Sequence, residues 1–277
     1  MLASQPLSYR WRADAEEHEL SMVPVPGTHG TPFRFDGRDG HKLIEVPDFY
    51  IASTPVTQAL WLHVMGSNPA IRRDLHCPVE NVSWYDVTGP NGFLERLNAS
   101  TIPGSLLGDN PALRFRLPSE SEWEYAARGG PDWQDGYAYS GSNDPDAVAW
   151  YGPRWTAAHE LAARVLGWRL AWRWIGRFRL YRWKRSHSHP VGRKAANQLG
   201  AYDMSGNVWE WCQDVSTNDL TAVPGDGAPY RGPGTERRLR GGCHHNWNLH
   251  CTVAWRYGIA PEHHDSGIGF RVALAAA

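Results

Sequence analysis

His189–Trp211 reads HPVGRKAANQLGAYDMSGNVWEW, a stretch holding three glycines, two asparagines and two tryptophans. Such text suits a buried, irregular core. Glycine and asparagine permit tight turns, and asparagine and glutamate side chains must satisfy backbone groups that no regular ladder pairs. The whole chain has the same character. Its 277 residues include 15 Trp, 28 Gly and 20 Pro, so large flat aromatics fix a turn-rich backbone.

Upstream of this stretch, residues 154–188 form a block of different composition. Leu161–Arg185 carries seven Arg and one Lys with no acidic residue. Leu161, Val165, Trp168, Trp172 and Ile175 recur at helical spacing, and Arg169, Arg173 and Arg177 form a second stripe. The pattern predicts an amphipathic insertion whose Trp face packs on its own domain while Arg stems cover apolar surface. Docking on an acidic partner or a membrane surface is the alternative.

Further upstream, LRFRLPSESEWEYAARGG predicts a strand stopped at Pro118, then a helix opened by a Ser119/Glu122 capping box and closed at Gly129-Gly130. A helix capped by Thr54 or Thr57 carries Leu60, Val64 and Met65, and another opens near Ser83. SMVPVPGTHGTPFRFDG predicts a hairpin, and residues 1–20 read as a leader or peripheral helix. Downstream, RRLRGGC…IGFRVALAAA begins and ends as strands with loop text between.

A net charge of −1 gives no general field for nucleic acid. There is neither an 18-residue apolar run nor a signal-peptide pattern. These features predict a cytoplasmic protein with reduced thiols and no membrane span, surface display remaining open. Of the four cysteines, Cys243 and Cys251 lie with three histidines in RGGCHHNWNLHC, residues 240–251. That spacing matches no familiar zinc site, and no base or orienter accompanies the thiols. Cys251 is expected to be a small buried residue.

MVPVPG, CPVENVSWYDV, RLPSESEWEYAARGG, HPVGRKAANQLGAYDMSGNVWEW, RRLRGG and IGFRVAL occur in that order. Together they resemble the formylglycine-generating enzyme (sulfatase-modifying factor) family over about residues 21–274. The resemblance implies an α+β, C-type-lectin-like fold with little regular secondary structure: a single domain (1–277) whose core, 21–153 and 189–274, is interrupted by the insertion. It also implies a calcium site at Asn207, Glu210 and the Val208 carbonyl, hard oxygen donors suiting that ion. The enzymes of the family hold copper between two cysteines spaced C-x4-C after the RGG. Those positions here are Asn246 and Cys251, so only one is a thiol, and an amide cannot replace the soft donor.

The tail is more similar to variable proteins of diversity-generating retroelements, whose fixed Cys, Ala, Arg, Pro and IGFR positions fall on Cys251, Ala254, Arg256, Pro261 and Ile268–Arg271. Region 240–271 is then a variable ligand-binding region. Its implied contact residues are His244, His245, Asn246, Trp247, Asn248, His250, Trp255, Tyr257, Gly258, Ile259, Ala260, His263, His264, Asp265 and Ser266. Aromatic residues supply rigid area there, and His, Asn, Asp and Ser supply adaptable hydrogen bonds. The implied function is non-catalytic binding of a protein or other macromolecule. The alternative is a copper-dependent oxidase that makes formylglycine from sulfatase cysteines.

Overall fold

The computed structural model describes residues 5–37, 40–107, 113–154 and 186–276. The arginine-rich stretch predicted as an amphipathic insertion lies, but for its ends, outside the described residues.

The described part of the segment expected to be a leader or peripheral helix is instead a pair of strands. Strands β1 (Leu7–Ala13) and β2 (Glu16–Val25) pair antiparallel across the two-residue loop Asp14-Ala15, where both residues have positive φ. Two left-handed residues match the twist of flanking strands, which is why two-residue hairpins use this turn. β2 alternates, burying His18, Leu20 and Met22. The hairpin expected over residues 21–37 is absent: β2 pairs with β1 and β5, whereas β3 (Phe33–Gly37) pairs with β4 (Gly40–Ile44).

Strand β5 (Phe49–Ala52) is buried on both faces. Helix α1 (Gln58–Met65) follows, with Thr57 as its N-cap and Gly66 closing it at φ 75°. α2 (Trp84–Thr88) opens on a capping box in which Ser83 and Asp86 satisfy each other's backbone N–H. α3 (Phe93–Ala99) and α4 (Ile102–Leu107) lead to β6 (Leu113–Arg116). α5 (Glu120–Ala127) has the expected Ser119/Glu122 box, and every one of its residues is buried, three glutamates included. After α6 (Pro145–Val148) come β7 (Trp209–Val215), β8 (Arg237–Arg240), β9 (Arg256–Ile259), β10 (Ile268–Gly269) and β11 (Ala273–Ala276).

One sheet has the order β1-β2-β5-β11-β6, so β11 is inserted between β5 and β6; a second runs β10-β7-β8-β9. Alternation along β5 sends Tyr50 and Ala52 into one hydrophobic cluster and Phe49 and Ile51 into the other. Leu274 and Ala273 divide in the same way on β11. Among the described residues no helix is long and apolar enough to cross a membrane.

Candidate ligand-binding site

The four-stranded sheet has two unlike faces. On β7, Trp209 and Trp211 join the apolar cluster that also holds Leu239, while Glu210 points the other way, toward Trp123 and Arg271. On β8 and β9, Arg238, Arg240 and Arg256 take the inner face against α5, and Leu239, Tyr257 and Ile259 take the outer one. Strand alternation alone produces this split.

The inner face is a buried ion network. Arg256 forks onto Glu120 at 2.7 and 2.6 Å, with Arg238 3.2 Å from the same carboxylate. Arg240 pairs with Glu124, and Arg271 grips both oxygens of Glu210 at 2.6 and 2.7 Å. Burial opposes ionisation of Glu120, but Arg238, Arg256 and Arg240 outweigh it and hold its pKa at about 2. Bidentate guanidinium–carboxylate pairs fix orientation as well as charge.

This network also grips the loops of the tail. Arg240 donates to the carbonyls of Trp255 (2.7 Å) and Val253 (2.9 Å). Backbone bonds from outside the tail hold it elsewhere. The Gly152, Trp84, Asn81 and Trp209 amides donate to the carbonyls of Asn246, Pro261, Asp265 and Gly267, and the Val253 amide donates to Ala138. The path of the chain is therefore set by groups other than the exposed side chains.

Above the outer face lies an open cleft of about 310 Å³. Eight of the expected contact residues line it: His245, Asn246, His250, Trp255, Tyr257, Ile259, His263 and Asp265. Trp255 and Tyr257 are the large exposed aromatics of the cleft; Trp255 leans on His250 at 4.5 Å and Tyr257 on Trp209 at 5.5 Å. Sequence reading missed the floor, made by Trp209, Leu239 and Ile268. Alternation through VWEW and RRLR, set against the later RYGI, was the signal that could have found it.

Three expected contact residues point inward instead. His244 is buried, with Nδ1 against the Ser186 hydroxyl (3.0 Å) and Nε2 against the Ser266 carbonyl (3.2 Å). Burial, reinforced by His245, lowers its pKa to about 3, so it packs as a neutral ring. Trp247 is buried, and Asn248 donates to the Tyr139 hydroxyl at 3.0 Å. Gly258 is not a display position either. A Cβ there would collide with the Ser216 hydroxyl and approach Glu236 Oε2 at 2.8 Å. His264 is exposed, and Ala260 and Ser266 are half-buried; none of these three lines the cleft.

Neither implied metal fits its donors. Both Glu210 oxygens are taken by Arg271, and Trp123 Nε1 donates to one of them at 2.6 Å, so a calcium ion would meet a guanidinium. Asn207, at φ 64°, spends its amide on both backbone groups of His189 (3.0 and 3.1 Å), and the Val208 carbonyl alone makes no shell. For copper, the position of the first thiolate is Asn246, whose Oδ1 accepts from the Cys243 thiol at 3.0 Å. Burial pushes the Cys243 and Cys251 thiols upward, and all four cysteines are free.

A model of the sulfatase-modifying factor enzyme 1-like domain matches residues 12–276. The chain is similar to a Paenibacillus barcinonensis protein named chaperone protein LppX, 38% identical over 206 residues, 65% of this chain and 67% of that one. It is similar to the formylglycine-generating enzyme of Streptomyces coelicolor, 29% identical over 249 residues, 84% of this chain and 66% of the enzyme. These alignments span about two thirds of either relative. The solved structure of Treponema denticola variable protein 1 superposes with a TM-score of 0.68 at 25% identity, covering 97% of this chain and 99% of that one.

Proposed function

From the premise that the chain belongs to the sulfatase-modifying factor enzyme 1-like domain family, we propose that it is a non-catalytic member that binds a protein or other macromolecule through its C-terminal cleft. One observation carries this reading. Residues of different chemistry line a single cleft while the backbone that bears them is held from behind, by Arg240 and by amides outside the tail. Side chains in such a frame can change without unfolding it, as in loops displayed on a rigid scaffold. The extensive likeness to a structure named as a variable protein supports the reading. The relative named as a chaperone is compatible with handling another protein without chemistry.

The oxidase reading draws on the Streptomyces enzyme, and Asn246 weighs against it. An assay of the protein with copper, dioxygen and a peptide bearing a sulfatase cysteine motif separates the two. No aldehyde is expected; aldehyde formation that depends on Cys251 would overturn the binding reading. Genomic DNA gives a positive check: a downstream repeat differing only at adenines, beside a reverse-transcriptase gene, is expected.

A further inference from the structure

The outer face of the four-stranded sheet extends past the cleft. Arg237 lies in register with Ile259 on β9, so alternation places it on the same face as Leu239, Tyr257 and Ile259. The next arginines, Arg238 and Arg240, and Arg256 on β9, take the opposite face, and each has a glutamate. Arg237 has none. Its guanidinium stacks over Trp84 at 3.9 Å and donates one bond, to the Gln213 carbonyl at 3.0 Å. Among the described residues no carboxylate comes within ion-pair distance of it. Its neighbour Glu236 points to the other face, beside Gly258.

Tyr85, an exposed aromatic on α2, and Arg231 sit close enough to act on the charge of Arg237. Arg231 likewise has, among the described residues, a neutral partner alone, the Gln213 amide oxygen at 3.3 Å. Desolvation makes the charged form of Arg237 less favourable, and Asp214, beyond ion-pair distance, only partly offsets it. Stacking on an indole orients the planar fork and leaves its edge for a carboxylate. A polyanion would meet Asp265 in the cleft, so a single carboxylate fits this face better than a phosphate backbone.

Building on the binding reading, we infer that Arg237, flanked by Tyr85 and Arg231, is a fixed holding point for an aspartate or glutamate side chain of a bound protein segment. The cleft residues then select among ligands, and this framework arginine supplies one contact common to all of them. A half-buried cation that gains a bidentate partner contributes both affinity and register.

The test is selection of a random peptide library on the immobilised full chain, in parallel with Arg237→Gln and Tyr257→Ala. The expected outcome is peptides enriched in Asp or Glu, with the enrichment lost on Arg237→Gln. Replacing the enriched acid of a selected peptide by its amide should weaken binding roughly tenfold; that exchange leaves the protein untouched, so a folding defect cannot imitate it. Peptides that need Tyr257 yet show no acidic preference would overturn the inference while leaving the cleft as the binding site. Peptides indifferent to Tyr257, or no selected peptide at all, would overturn both.

Discussion

Trp247 and Trp255 stand in the same loop text, yet the fold uses them oppositely: one is buried and the other opens onto the cleft. Deleting a buried aromatic removes its burial and leaves a cavity, so Trp247→Ala is expected to cost about 3–5 kcal/mol in denaturant unfolding. Trp255→Ala should change stability by no more than about 0.5 kcal/mol, because its backbone is held by Arg240 and not by its ring. Equal losses at both positions would remove the distinction between frame and display. The sequence could not separate the two tryptophans. No period runs through the 243–255 loop, and what decides their direction, such as the Gly152 amide on the Asn246 carbonyl, lies about a hundred residues upstream. His244 shows the same limit: a histidine in polar loop text became a buried staple between Ser186 and Ser266.

At the scale of elements, α5 and the β8–β9 pair depend on one another through charge. Arg240→Met would leave Glu124 with Arg128 and the Asp36 amide alone and would free the Val253 and Trp255 carbonyls. Breaking a buried pair by removing one partner costs about 3–5 kcal/mol, and hydrogen exchange should accelerate at residues 253–256. The pH dependence has a definite sign. Glu120 ionises more readily in the folded chain, at about 2 against 4.5, so its contribution is full above 4.5 and is lost as pH falls toward 2. Asp214 acts in the opposite direction. Burial and Glu120 lift it from 3.8 to about 7, so its contribution is full below about 3.8 and is lost as pH rises toward 7. Urea midpoints should therefore be highest at about pH 4–4.5, decline below it as Glu120 takes up a proton, and decline between there and about pH 7 as Asp214 loses one; a midpoint flat down to pH 2 would contradict the network. The helix start near Ser83 and the Ser119 capping box were legible because each is a local code. The β1–β2 hairpin was not, since its Asp14-Ala15 turn lacks the glycine that usually marks left-handed residues.

For the molecule as a whole, six ordered motifs were enough to read the fold, and the match over residues 12–276 agrees with them. The bounds of the proposed binding region were read from the fixed residues on either side of it, and eight of its residues meet in one cleft. The glutamates that steady it were not, because Glu120 and Glu124 precede their arginine partners by more than a hundred residues, and a single sequence pairs nothing at that range. The central claim is that stability is made in the core and in the arginine–glutamate network, while the cleft side chains are free to vary. The most direct measurement randomises His245, Asn246, His250, Trp255, Tyr257 and His263 together and scores each variant for cooperative unfolding. Most variants are expected to fold, with midpoints clustered near that of the parent; a library in which most members have lost cooperative unfolding would show that these side chains hold the domain together.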